Sequence, residues 1–217
     1  KDVETVLTGT AFPEEKQGLN LARLVVTHPD SKLTNATGGA TTNRFCGSSM
    51  HTIADAAAHI SMGWGDLVIS AGVESMSSIP MSGWNPDLNP EIYGGDAKAY
   101  MGMGRTAENL ARKYEISRAA QEDFAVRSHQ KAAKAQQDGK FKDEIVKLRH
   151  APDMLEDDLI RYDASAEGLA ELKPAFEKDG TVTAGISSPI TDGASGVAVA
   201  SEAYAEEHGL PVLARVM

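Results

Sequence analysis

The sequence predicts an α/β fold: a mixed, mostly parallel sheet with helices on both faces, plus an inserted, mainly helical domain. Two observations predict the sheet. Short β-branched runs alternate with apolar runs of helical period through the first third of the chain, and the same alternation returns in the last thirty or so residues. A third observation predicts the insertion, because from about Pro80 the alternation gives way to turn-rich segments flanking two longer helical patterns.

Taken in order, Glu4-Thr5-Val6-Leu7-Thr8 reads as a strand and Leu19 to Val26 as a helix following Gln17-Gly18. Ala40 to Phe45 is β-branched and aromatic enough for a short strand. Ser48 to Met62 reads as a helix, with Met50, Ile53, Ala54, Ala57 and Ile60 on its buried face and Gly63 as its stop. Asp66 to Ala71 forms a buried strand ending at Gly72. Met81 to Gly95 has loop chemistry, with Pro86, Pro90 and paired glycines. Helices follow over Thr106–Tyr114 and over Ser117–Asp138, the second closed by Gly139. In that second helix Phe124, Ser128, Ala132 and Ala135 mark a narrow buried stripe, and Asp123 and Lys131/Lys134 suit the helix dipole. Ala151 to Ala166 is acidic and irregular. Gly196–Ser201 then reads as a strand, Glu202–His208 as a helix and Pro211–Val216 as a further strand. Both ends of the chain read as cuts in a larger fold.

Composition sets the outer limits. Hydrophobic residues make up 41% and charged residues 24%, as in ordinary globular chains, and no apolar run nears the roughly 20 residues of a membrane span. The net charge of −10 disfavours nucleic acid, whose phosphates require Lys/Arg clusters, yet leaves room for an anionic small ligand held by a few local bases. A single cysteine excludes an intramolecular disulfide framework, and the six histidines show no metal-ligand spacing, so no metal site is expected.

That one cysteine stands where a strand turns into a helix, in Asn43-Arg44-Phe45-Cys46-Gly47-Ser48-Ser49-Met50. Backbone N–H groups and the positive end of the helix dipole favour thiolate there, and Gly47, Ser48 and Ser49 leave space beside it. Strand C-termini are also where open α/β sheets collect their sites. Cys46 is therefore the candidate nucleophile, against the alternative of a small buried hydrophobe.

This segment resembles the nucleophile segment of the thiolases, which exchange acyl groups between 3-ketoacyl-CoA and CoA. Gly72-Val73-Glu74-Ser75-Met76-Ser77 is similar to the family's next signature. Met103-Gly104 with Thr106-Ala107-Glu108-Asn109 resembles a third. Leu172-Lys173-Pro174-Ala175-Phe176 with Asp179-Gly180-Thr181-Val182-Thr183-Ala184-Gly185 resembles a fourth, and Ser187-Ser188 through Asp192-Gly193-Ala194 a fifth. The resemblance implies a thiolase-like layered fold with residues 1–79 as the first part of the N-terminal core, 80–185 as an inserted CoA-binding loop domain and 186–217 as the return to the core. The C-terminal half of a thiolase, with its Asn-Glu-Ala-Phe, Gly-His-Pro and second Cys-x-Gly motifs, is not in this sequence.

The resemblance further implies ping-pong acyl transfer through an acyl-Cys46 intermediate, with the Cys46 backbone N–H as one oxyanion donor. For CoA it implies Arg161 beside the nucleotide, Ser188 on the pantetheine arm with Ala184 and Phe176 lining it, and Met103 at the acyl side. It implies acyl-CoA and CoA as substrates with no permanently bound cofactor, a homodimer or homotetramer, and a hydratase–dehydrogenase subunit as partner of degradative members. With no targeting segment visible, the cytoplasm is the expected location. The segment alone is expected to be inactive. Gly102 replaces a histidine frequent in acetoacetyl-CoA members, and Cys46 to Met50 resembles the degradative enzymes, which favours 3-ketoacyl-CoA thiolysis over the acetoacetyl-CoA reaction. Pro189 replaces a smaller residue usual there.

Competing readings have residue-level objections. A cysteine hydrolase needs a histidine partner; His51, five residues beyond Cys46, rotates away from it on a helix, and His59 and His129 read as ordinary helix histidines. Gly94-Gly95 and Gly102-x-Gly104 follow no strand and do not form a phosphate loop. A non-catalytic acyl-CoA-binding subunit is the remaining alternative, opposed by the intact sequence around Cys46.

Overall fold

A computed structural model describes residues 2–95 and 97–217. They divide into two compact units, Lys1–Asp87 with Ile190–Met217, and Leu88–Pro189.

In the first unit the described residues form a sheet of four strands, β1 (Thr5–Gly9), β2 (Gly38–Thr42), β3 (Leu67–Ser75) and β4 (Asp192–Ala200), in the order β2-β1-β3-β4. β1 runs parallel to both β2 and β3, and β4 pairs antiparallel with β3 from Leu67↔Ala200 to Ser75↔Asp192. The alternating pleat of β1 sends neighbouring side chains to opposite faces. Val6 packs with Ala22 and Val26 of helix α1 (Leu21–Thr27), and Leu7 with Ala56 of helix α2 (Ser48–Ser61) and Val68. Helices thus cover both faces, as the alternation predicts. A last helix, α7 (Glu202–Glu207), starts at Ser201, whose hydroxyl accepts from the Tyr204 N–H.

Several boundaries and faces differ from the sequence reading. The second strand ends at Thr42 and does not reach Phe45, because the Asn43 side chain starts a turn by accepting the Phe45 N–H. Helix α1 begins two residues late: Leu19 is left-handed (φ 57) and Asn20 caps the helix through Arg23 N–H. Strand β3 is longer than predicted and only half-buried beyond Ser70. On α2 the innermost line is Ser48, Thr52 and Ala56, not Met50 and Ala54, which are exposed. Short side chains bring the helix close to the sheet, and the Thr52 hydroxyl pairs with that of Ser70 at 2.7 Å. Pro211–Val216 forms no strand; it has no ladder partner among the described residues, and Leu213 lies fully open.

The second unit is helical: α3 (Pro90–Gly94), α4 (Met103–Lys113), α5 (Arg118–Gln137) and α6 (Ala166–Ala170). The sequence reading missed α3, which Asn89 caps through Glu91 and Ile92 N–H, and α6, capped by Ser165. It also started α4 three residues late. Helix α5 matches its prediction to within a residue at each end, with Ser117 as cap. Its buried face matches only in part: Ala132 and Ala135 are half-buried, but Phe124 (69% exposed) and Ser128 point outward, while Glu122, Ala133 and the half-buried His129 point inward. Arg118 explains this rotation, since it pairs with Glu122 at 2.6 Å and donates to the carbonyls of Leu169 and Leu172, so the polar line is the docked one.

Candidate active-site turn and CoA-side segments

Cys46 is exposed on the turn between β2 and α2, one residue before the Gly47 helix cap. Phe45, just ahead of it, is left-handed with φ 47, a conformation a bulky side chain adopts only when its surroundings hold it there. They do so here by three hydrogen bonds. The Phe45 N–H donates to Asn43 Oδ1 (2.9 Å), and its carbonyl accepts from the Ser48 N–H (3.0 Å) and the Ser48 hydroxyl (2.6 Å). The buried Ser48 Oγ also accepts from the Arg44 N–H at 2.8 Å. Asn43, Ser48 and the strained Phe45 thereby fix the backbone that presents the thiol.

Two glycines set the height of this turn above the sheet. A β-carbon on Gly9 would overlap backbone atoms of Ser48 and Ser49, and one on Gly72 would stand 2.5 Å from Ser49 Cβ. The start of α2 therefore rests directly on the end of β1 and on β3 at Gly72. An open depression of about 190 Å³ lies alongside, lined by Met50, Ile53, Gly72 and Gly196 among others.

Carboxylates hold the segments that follow β1 and β3. Glu74 accepts from the Ala11 N–H (2.6 Å), the Thr10 hydroxyl (3.2 Å) and the Gln17 amide, whose oxygen in turn accepts the Ser75 N–H at 2.8 Å. Asp192 accepts from the Ser77 N–H (2.8 Å) and hydroxyl (2.6 Å). The Ser77 hydroxyl and N–H hold the Asp192 carboxyl below the usual aspartate range. The Glu74–Ser77 and Asp192–Ala194 motifs, far apart in sequence, are thus two sides of one clasp.

In the second unit the same logic joins α4 to the loop after Phe176. Glu108 is buried, and its carboxylate accepts from the N–H groups of Thr181 (2.9 Å) and Val182 (2.8 Å) and from the Thr181 hydroxyl (3.1 Å). Burial pushes the Glu108 carboxyl up, but these donors, with Arg112 nearby, outweigh it and leave the net shift downward. Gly180 has no room for a β-carbon because the Glu108 carboxylate occupies that space, and Gly104 has none because the Phe176 ring lies against it. Phe176 is consequently brought next to the helix turn that carries the exposed Met103. Ala184 and Ser188, both exposed, follow the latched Thr181-Val182 pair, with Ser187 Oγ closing the turn on the Thr183 carbonyl at 2.7 Å. Arg161 is placed against α5 instead, its N–H donating to His129 Nδ1 at 3.1 Å and its side chain exposed. The depression of about 200 Å³ in this unit lies over Glu108, Arg112, Ile116 and Thr181, not over Ala184, Phe176 or Ser188. Among the described residues no group of histidine, cysteine and carboxylate side chains could hold a metal ion.

The candidate residues read from sequence are ones that would react with or line a substrate; those that hold the backbone around them do not stand out in the sequence. Glu74, Glu108 and Asp192 are the clearest cases: each lies inside a quoted motif, but the backbone it holds lies on a distant stretch of the chain.

Residues 1–203 match the family model described as thiolase, N-terminal domain. The chain belongs to the thiolase family. It is 40% identical to a 3-ketoacyl-CoA thiolase of Bacillus subtilis over 99% of this chain and 58% of that protein, and 42% identical to one of Pseudoalteromonas translucida, over 99% and 56%. Among solved structures it is similar to the dimeric peroxisomal thiolase of Saccharomyces cerevisiae, with TM-score 0.86, 34% identity, and coverage of 97% of this chain and 55% of that one. It is also similar to human mitochondrial 3-ketoacyl-CoA thiolase in complex with CoA, with TM-score 0.81 at 31% identity, over 96% and 55%. The chain spans just over half the length of these thiolases. The α/β sheet covered on both faces is therefore the thiolase N-terminal fold. No described helix is long and apolar enough to cross a membrane.

Proposed function

We propose that this chain is the nucleophile-bearing part of a 3-ketoacyl-CoA thiolase that works through an acyl-Cys46 intermediate. The observation that carries the proposal is the presentation of Cys46: an exposed thiol on a strained, triply tied turn at the start of a helix, in a chain of the thiolase family. The Cys46 thiolate attacks the 3-keto carbon, the bond to C2 breaks, and the acetyl-CoA enolate takes up a proton and leaves. The shortened acyl group stays on sulfur until the thiol of a second CoA attacks the thioester and restores the thiolate. Sulfur serves both halves, as strong nucleophile and good leaving group.

The Leu88–Pro189 unit is the CoA-binding portion in this proposal, with Met103, Phe176, Ala184 and Ser188 along the pantetheine and Arg161 at the nucleotide; CoA is a substrate, with no permanent cofactor. Relatives named 3-ketoacyl-CoA thiolase support the degradative substrate class, and the dimeric yeast neighbour supports a homodimer. The test is intact mass of the full-length protein after exposure to acetyl-CoA, beside Cys46→Ala. One acetyl adduct, absent from the variant and discharged by CoA, is expected. A folded wild-type protein without the adduct would refute acyl transfer on Cys46.

A further inference from the structure

His51 lies one turn into α2 and contacts no reacting atom in the mechanism above, yet its two ring nitrogens are both engaged. Arg44 Nη1 lies 3.0 Å from Nδ1, and Asp55 Oδ1 lies 3.6 Å from Nε2. An arginine guanidinium has only donors at any accessible pH. Nδ1 must therefore be the acceptor, which places the ring proton on Nε2, facing the Asp55 carboxylate. We infer that His51 is a positioning residue for acyl transfer: as the neutral Nε2–H tautomer it tethers Arg44, and with it the Cys46 turn, to helix α2.

The tether acts on a backbone that needs holding. Arg44 is the residue whose N–H is fixed by Ser48, and it directly precedes the strained Phe45. Its side chain reaches forward over the helix start to His51, so both ends of Arg44 are anchored to the same first turns of α2. Protonation of His51 removes the only lone pair Nδ1 has. The Arg44 bond then breaks, the two cations repel, and the imidazolium stays with Asp55. Among the described residues, the charged groups against His51 are Arg44 and Asp55. β1 and β2 carry no titratable side chain, and Glu74 of β3 and Asp192 of β4 are engaged by Ala11 and Ser77.

The inference rests on the thiolase reading for its consequence, but the tautomer can be measured apart from it. The first readout is the long-range proton–nitrogen NMR spectrum of the full-length protein with labelled histidine. An unprotonated, hydrogen-bonded Nδ1 near pH 8 is expected, whereas a proton on Nδ1 overturns the inference. The second is the rate of Cys46 acetylation by acetyl-CoA in wild type and His51→Gln, whose amide offers an acceptor and a donor but no titrating proton. On acidification from pH 8, the ratio of wild-type to variant rate is expected to fall by about fivefold once His51 is protonated, the scale of one exposed charged hydrogen bond. A ratio independent of pH overturns the positioning role. Absence of an adduct in both proteins overturns the acyl-transfer proposal instead, and the tautomer then decides whether the tether exists.

Discussion

Glu108→Gln is the most direct probe of how the loop carrying Thr181 and Val182 is held. Its carboxylate is 1% exposed and takes the N–H groups of Thr181 and Val182 and the Thr181 hydroxyl. Bonds to a charged acceptor are worth about 1.5–3 kcal/mol each net. Glutamine keeps one carbonyl oxygen for the two N–H groups, and its amide can donate to the Thr181 hydroxyl, so the expected loss is about 2–3 kcal/mol. At 1.36 kcal/mol per factor of ten, that is a ~30- to 150-fold loss of amide-exchange protection at Thr181 and Val182. Glu108→Ala leaves both N–H groups buried without an acceptor and should cost about 3–5 kcal/mol. The assay is hydrogen exchange of the 175–187 peptide in the full-length protein. The sign with pH follows from the same contacts. The folded carboxyl releases its proton more readily than an ordinary glutamate at 4.5, so the latch is at full strength above that value and is lost as pH falls through the lower folded value. Protection that changes by less than about threefold in Glu108→Gln, where a single hydrogen bond predicts more, would show that other contacts hold the loop.

Two further outcomes test the remaining assignments. Gly9→Ala drives a β-carbon into backbone atoms of Ser48 and Ser49, which cannot yield as a side-chain tip does; full-length protein should lose about 3 kcal/mol in chemical denaturation and show slower Cys46 acetylation. An unchanged acetylation rate would mean the turn tolerates displacement. Arg161→Ala should raise KM for CoA about tenfold with kcat held, the behaviour of a phosphate-binding arginine whose contact is equal in ground and transition states, and an unchanged KM removes it from the CoA site.

The fold was legible wherever local chemistry and tertiary demand agreed. Val6 and Leu7 alternate across β1, Ser117 and Gly139 bracket α5, and the apolar strand Leu67–Ser70 needs no outside information. Legibility failed where a tertiary partner decided the outcome. Phe124 appears core-forming by hydrophobicity, yet the face of α5 is set by Arg118 reaching the carbonyls of Leu169 and Leu172, some fifty residues away in sequence. Pro211–Val216 has strand propensity but no ladder to join among the described residues. The same division runs through the site. Cys46 could be singled out as a candidate because a lone thiol at a strand–helix turn carries its own chemistry. Glu74, Glu108 and Asp192 could not, because each acts on a backbone segment that only folding brings near.

That division bears on what a thiolase motif is. Glu74 holds Thr10 and Ala11 after β1, Asp192 holds Ser77 after β3, and Glu108 latches the segment that presents Ala184 and Ser188. Each pairs a carboxylate with two or more donors on a distant stretch, at least one of them a backbone N–H, and Gly180 leaves space for its partner's carboxylate as Gly104 does for a ring. A backbone N–H offers one donor at a fixed position, so a carboxylate that satisfies several at once specifies loop geometry more tightly than an apolar contact of equal area. In this chain the signature residues around Cys46 and along the Thr181–Ser188 loop are therefore largely scaffold. Apart from Cys46 itself, their common property is that they fix where backbone runs, and the exposed side chains of Cys46, Met103, Phe176 and Ser188 follow from that.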